Sequence, residues 1–143
     1  MSDEIATVRV RPFFETFAAR NAAGDMEGLL QMYAPTIMVA GPNGTSMVPS
    51  SALAAAVRNR KQRFDALGLP SATLVSSQAT TLDNRYTLAR TEWRFDLARL
   101  HGDPVTLSST FLLEHAGDAT HIVMYMNHHD IMAVLRERGI AAD

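Results

Sequence analysis

From Arg11 the apolar positions recur at helical spacing, Phe13, Phe14, Phe17 and Ala18, with Asn21 on the same side. Pro12 fits the first turn of such a helix, where its missing N–H costs nothing, and Gly24 is placed to stop it near Ala23. Asp25 then caps a second, short helix carrying Met26, Leu29, Leu30 and Tyr33, which Pro35 closes. The pair forms a helix–turn–helix corner. Thr36-Ile37-Met38-Val39-Ala40 reads as a strand, Gly41-Pro42-Asn43-Gly44 as a turn and Thr45-Ser46-Met47-Val48 as the returning strand. Ser50 or Ser51 caps a third helix, in which Leu53, Ala56, Val57, Arg60, Phe64 and Leu67 follow one face. Arg58, Lys61, Arg63 and Asp65 fall mostly elsewhere, and this reads as a solvated outer face rather than an anion site.

The second half changes period. Four long β-prone segments, at about residues 71–82, 86–98, 105–115 and 120–128, are separated by Asp83-Asn84, His101-Gly102-Asp103-Pro104 and Ala116-Gly117-Asp118. Such short connections make neighbours antiparallel. Leu88, Arg90, Glu92, Arg94 and Asp96 alternate with Ala89, Thr91, Trp93, Phe95 and Leu97, one charged face against one that is not. Strands this long twist and curl, so the helices are expected to fill the concave side. From Asp130 to Arg138 the pattern returns to helix, with Ile131, Val134 and Leu135 on one face and Gly139 as the stop.

Composition narrows the classes. A chain of 143 residues, 47% hydrophobic and 20% charged, fits one domain with a sizeable core. Thirteen basic against 15 acidic residues give a net charge of -2, which provides no field for nucleic acid or an anionic membrane. The absence of cysteine rules out disulfides, thiolate catalysis and Cys-based zinc sites, and agrees with a reducing compartment. The start, MSDEIATVRVRPFF, has no long apolar stretch, so neither a signal peptide nor a membrane span is expected and a cytoplasmic location is.

The corner Asn21-Ala22-Ala23-Gly24-Asp25-Met26-Glu27-Gly28-Leu29-Leu30, a short strand pair, a third helix and a four-strand meander follow in that order. With the closing Ser108-Ser109-Thr110-Phe111-Leu112-Leu113 and Tyr125-Met126-Asn127-His128, this chain resembles the nuclear transport factor 2-like superfamily, in its SnoaL-like and ketosteroid-isomerase-like branch. The likeness spans about 11–139 of a single domain covering 1–143. It implies an α+β cone-shaped barrel: three N-terminal helices on a strongly curved, mostly antiparallel sheet, with a short C-terminal helix. It also implies a pocket between sheet and helices, and a homodimer through the outer sheet. It does not imply one chemistry, since the superfamily holds isomerases, cyclases, dehydratases and members that only bind.

Departures from the ketosteroid-isomerase pattern are specific. The general base of those enzymes precedes a Pro-x-Gly turn, where this chain has Gly41 before Pro42-Asn43-Gly44. Their oxyanion-binding Tyr falls at Phe17, and their second donor, a protonated Asp, falls near Ser109. Enolate chemistry needs a base and donors together, so that reaction is not expected. SnoaL-like cyclases carry a late Asp before a C-terminal helix, and Asp130 stands in a similar position.

The segment HIVMYMNHHD, residues 121–130, concentrates the remaining candidate chemistry. His128 and His129 are neighbours on a strand and point apart, so they make poor co-ligands; His128 with Asp130 is too small a set for catalytic zinc, and no metal is expected. Asp130 is first a helix cap. Tyr125 and Asn127 share a face opposite Met124, Met126 and His128, and that face is expected to look into the cone with Trp93. No phosphate loop, nucleophile elbow or dinucleotide fingerprint occurs, so no cofactor is implied. The reading is a small-molecule-binding protein whose pocket takes a small apolar molecule between Phe17, Tyr33, Trp93, Ser109, Phe111, Tyr125 and Asn127. In an enzyme, His129 or Asp130 serves as base of a cofactor-free proton transfer; the rival class is a non-catalytic binding or assembly module.

Overall fold

Strict alternation along Tyr86–Phe95 fixes the inner and outer faces of the sheet. Thr87, Ala89, Thr91, Trp93 and Phe95 are buried, while Leu88, Arg90 and Arg94 are exposed. Around this strand the computed structural model, which describes residues 3–97 and 102–139, builds ten elements. They are α1 (Asp3–Ala23), α2 (Met26–Leu30), β1 (Tyr33–Gly41), β2 (Gly44–Pro49), α3 (Ser50–Ala66), β3 (Thr73–Thr81), β4 (Tyr86–Phe95), β5 (Val105–Ala116), β6 (Ala119–Asn127) and α4 (Ile131–Glu137). The expected strand end at Ala98, the turn residue His101 and the extreme termini of the 1–143 domain lie outside the described residues.

The strands form one curved, unclosed sheet in the order β2-β1-β6-β5-β4-β3. Every pairing is antiparallel except β1 with β6, so the last strand of the meander meets the first strand of the hairpin in parallel. α1 packs along β3, and α3 packs on β1 and β2. The helices thus cover the inner face. Phe14, Phe17, Phe111, Leu113, Ile122 and Leu135 are among the side chains buried there.

At the corner, Asp25 caps α2 by accepting from the Gly28 amide at 3.0 Å, and Arg20 donates to the Gly28 carbonyl at 2.7 Å. A β-carbon on Gly28 would collide with the Asp25 carboxylate and the Arg20 stem. Gly24, at φ 64°, ends α1 in the left-handed region, and a side chain there would press on the Lys61 stem at 2.9 Å.

Four local expectations are corrected. α1 begins at Asp3, not Arg11, and carries Pro12 in its interior; Ala6 and Val10 are buried, so packing offsets the lost helical hydrogen bond. Tyr33 does not continue α2 but opens β1, and Pro35 lies inside that strand, where the β1–β6 register shifts between Tyr33 and Met38 and no ladder N–H is required. α3 has Pro49 rather than a serine at its N-cap, with no side-chain cap. On α3 Ala54 is buried and Ala56 exposed, so the apolar face is rotated from the expected one.

Candidate functional site

Between the inner sheet face and helices α1 and α3 lies a cavity of about 490 Å³, a size usual for small-molecule sites. Phe17 and Asn21 reach it from α1, and Val57, Arg60, Lys61 and Phe64 from α3. Trp93 and Phe95 of β4, Leu107, Ser109 and Phe111 of β5, and Tyr125 and Asn127 of β6 form its floor. The β1–β2 hairpin from Val39 to Ser46, Ser71 and Ala72 just before β3, and the segment from His129 to Ile131 complete it. Its wall is an aromatic cluster: Phe111 lies 4.9 Å from Tyr125, 5.5 Å from Phe17 and 5.0 Å from Phe14 between ring centroids, and Phe17 lies 6.3 Å from Trp93.

Set into this apolar wall is one hydrogen-bonded trio. Asn127 Oδ1 accepts from Tyr125 Oη at 2.7 Å and from Ser109 Oγ at 2.9 Å. The cross-strand pairing of Ser109 with Asn127 makes this possible. Both lone-pair directions of the amide oxygen are then used, and its NH2 remains to donate to a bound molecule. Beside the trio, Trp93 Nε1 donates to Thr91 Oγ1 at 2.8 Å, so the indole is held with its ring against the cavity. Burial drives the Tyr33 hydroxyl well above its usual pKa, the neighbouring Tyr125 adding to the rise and the Arg60 charge opposing it. Tyr33 is therefore neutral throughout the ordinary pH range.

A family model described as NTF2-like protein (DUF6841) matches residues 3–130 of the sequence. The chain belongs to this NTF2-like family. No curated protein matches the sequence. Among solved structures, Aln2 from a Streptomyces species is similar at a TM-score of 0.70 and 16% identity, over 95% of this chain and 98% of that one. An NTF2-like protein of unknown function from Shewanella oneidensis is similar at a TM-score of 0.65 and 18% identity, covering 87% and 99% of the two chains. Another, from Cytophaga hutchinsonii, reaches a TM-score of 0.62 at 9% identity, covering 91% and 100%. At such identities these likenesses carry the fold alone.

Within the NTF2-like frame, eight of the nine residues singled out from sequence, Phe17, Trp93, Ser109, Phe111, Tyr125, Asn127, His129 and Asp130, line the same cavity. Tyr33 does not; it is buried behind Phe17, with ring centroids 6.1 Å apart. Asp130 caps α4, its Oδ1 accepting from the amides of Met132 at 3.0 Å and Ala133 at 3.3 Å. His129 is exposed at the margin, and His128 turns outward to Thr110 Oγ1 at 2.7 Å. Gly41 also lines the cavity, so the positions that differ from ketosteroid isomerases all face the same space. Among the described residues no group of three or more His, Asp or Glu side chains is arranged to hold a metal ion.

Sequence reasoning overlooked Asn21 and Arg60 as lining residues, and Lys61 with them. Arg60 was legible as a cation on the apolar face of its helix. Lys61 belongs less to the solvated face than expected, its side chain being 30% exposed and paired with Asp65 at 2.6 Å.

Proposed function

We propose that this NTF2-like chain is a single-domain, SnoaL-like small-molecule-binding protein, a cytoplasmic homodimer whose cavity takes a small apolar or polyketide-like ligand. The observation that carries the reading is the Ser109–Asn127–Tyr125 trio, a directional polar anchor set beside the aromatic cluster of Phe17, Trp93 and Phe111. Apolar lining supplies affinity, and an amide donor held by two hydroxyls orients a ligand carbonyl or hydroxyl. The absence of cysteine from the sequence agrees with the compartment. Among the described residues no helix is long and apolar enough to cross a membrane.

Cofactor-free proton transfer is a second reading, favoured by His129 and Asp130 meeting at the cavity margin. Against it, the Asp130 carboxylate is already committed to two backbone amides as the cap of α4. Binding without turnover is the better-supported assignment.

The test is a fluorescence titration with the neutral probe N-phenyl-1-naphthylamine, comparing wild type with Ala72→Trp, a substitution that fills the cavity from its lining. Saturable binding at one site per chain, lost in the filled variant with an unchanged far-UV spectrum, is the expected result. Absence of saturable binding, or equal binding by the filled variant, would remove the cavity from the function.

A further inference from the structure

Arg60 sits on the face of α3 that carries Val57 and Phe64, three residues before it and four after, and it lines the cavity with them. A cation in a largely apolar wall normally has a carboxylate partner, because desolvating an unpaired charge is costly. Arg60 has none among the described residues. Its one hydrogen bond there is a long contact, 3.4 Å, from Nη2 to Oδ1 of the neutral Asn21. The other charged groups of the lining are engaged: Lys61 Nζ meets Asp65 Oδ2 at 2.6 Å, and Asp130 Oδ1 accepts from Met132 and Ala133. The Arg60 guanidinium therefore has no carboxylate partner among the described residues, and most of its planar set of donors is unused.

The position of that charge relative to the aromatic wall is defined. Asn21 donates to the Phe17 carbonyl at 2.8 Å, so the Arg60–Asn21 contact lies one helical turn from Phe17, whose ring packs on Trp93. On the other side Phe64, one turn along α3 from Arg60, packs on Phe95 at 5.9 Å. The charge also reaches into the core, where it opposes the upward shift of Tyr33.

Resting on the small-molecule reading above, we infer that the natural ligand is an amphipathic monoanion, an aryl or alicyclic carboxylate. Its carboxylate pairs with Arg60 and its apolar body lies against Trp93, Phe95 and Phe111. One guanidinium balances one negative charge, and its fork matches a carboxylate in two parallel hydrogen bonds. The Asn127 amide then addresses a second oxygen function on the body of the ligand.

Two probes of equal size separate this from simple apolar binding: 4-phenylbutanoate and its neutral amide, 4-phenylbutanamide. Trp93 is the chain's single tryptophan and lines the cavity, so its emission reports both titrations. The wild type is expected to bind the carboxylate about tenfold more tightly than the amide, the scale of one charge-assisted hydrogen bond. Arg60→Gln should bring the ratio to about one while leaving amide affinity within roughly twofold, which also shows that the variant is folded. Arg60→Lys should retain part of the preference, and Arg58→Gln, an exposed change on the same helix, all of it. If the amide binds as well as the carboxylate to wild type, or if Arg60→Gln keeps the preference, the anion assignment is wrong and the apolar-ligand reading survives. If neither probe binds, both fall together.

Discussion

The Tyr33 side chain is 4% exposed and packed on Phe17, and its hydroxyl feels both Tyr125 and the Arg60 charge. Desolvation raises its pKa above the ordinary value of 10.0, so the folded chain keeps this proton at a pH where the unfolded chain releases it. The unfolded state then binds fewer protons, and stability falls as pH rises above the unfolded value. Tyr33→Phe should leave the urea midpoint little changed near neutrality, within about 1 kcal/mol, and should show a smaller loss than wild type by about pH 11. An equal alkaline loss in both proteins would show that Tyr33 does not titrate with unfolding. The inward face of Tyr125 and Asn127 was legible because a strand alternates with period two. The partner of Asn127 was not, since Ser109 meets it only through the β5–β6 register, which no local pattern encodes. Arg60 was passed over for a related reason: a cation on an apolar helix face looks the same whether its head reaches solvent or a cavity.

At the scale of elements, the first two turns of α1 seal the sheet. β3 is an edge strand, and its Ala79 and Thr81 amides are taken by Thr7 Oγ1 at 2.9 Å and Asp3 Oδ1 at 3.2 Å. The Thr7 hydroxyl also approaches the Ala79 carbonyl at 3.5 Å. Thr7→Val keeps the shape and orphans both backbone groups, so it should cost about 1–2 kcal/mol in urea denaturation and speed hydrogen exchange at the Ala79 amide, with Thr7→Ser close to wild type. Exchange at Ala79 that is unaffected by Thr7→Val would mean that the strand edge is protected without the helix. This clasp explains where the sequence pattern fell short. Pro12 signals a helix start, and the preceding Thr7 to Arg11 mixes charge with apolar residues, so only contacts made some seventy residues later justify helix from Asp3. The four long strands were readable because their alternation is local. Pro35 misled in the opposite way, since a strand can hold proline where its register shifts.

For the whole molecule, the outward face of the sheet bears on assembly. The registers place Met47 beside Met38, Met38 beside Met124, Met124 beside Leu112 and Leu112 beside Leu88, one apolar row across five strands. At ordinary strand spacing this row is roughly 20 Å long. Met47 is 60% exposed, Met38 40% and Leu88 36%, whereas Met124 and Met126 on the last strand of the meander are half-buried. The apolar strip is therefore centred nearer β1 and β2 than the meander alone suggested. Methionine adapts its shape at contacts, and an apolar strip bounded by Arg90, Glu92 and Arg94 suits a second copy in antiparallel arrangement, since a two-fold axis sets each strip against itself. Light scattering should give twice the chain mass at micromolar concentration. Met38→Glu with Leu88→Glu should give a monomer that still binds N-phenyl-1-naphthylamine, because both side chains point away from the cavity. A wild-type monomer under those conditions would sink the interface, and a double variant that remains dimeric would move it to another surface.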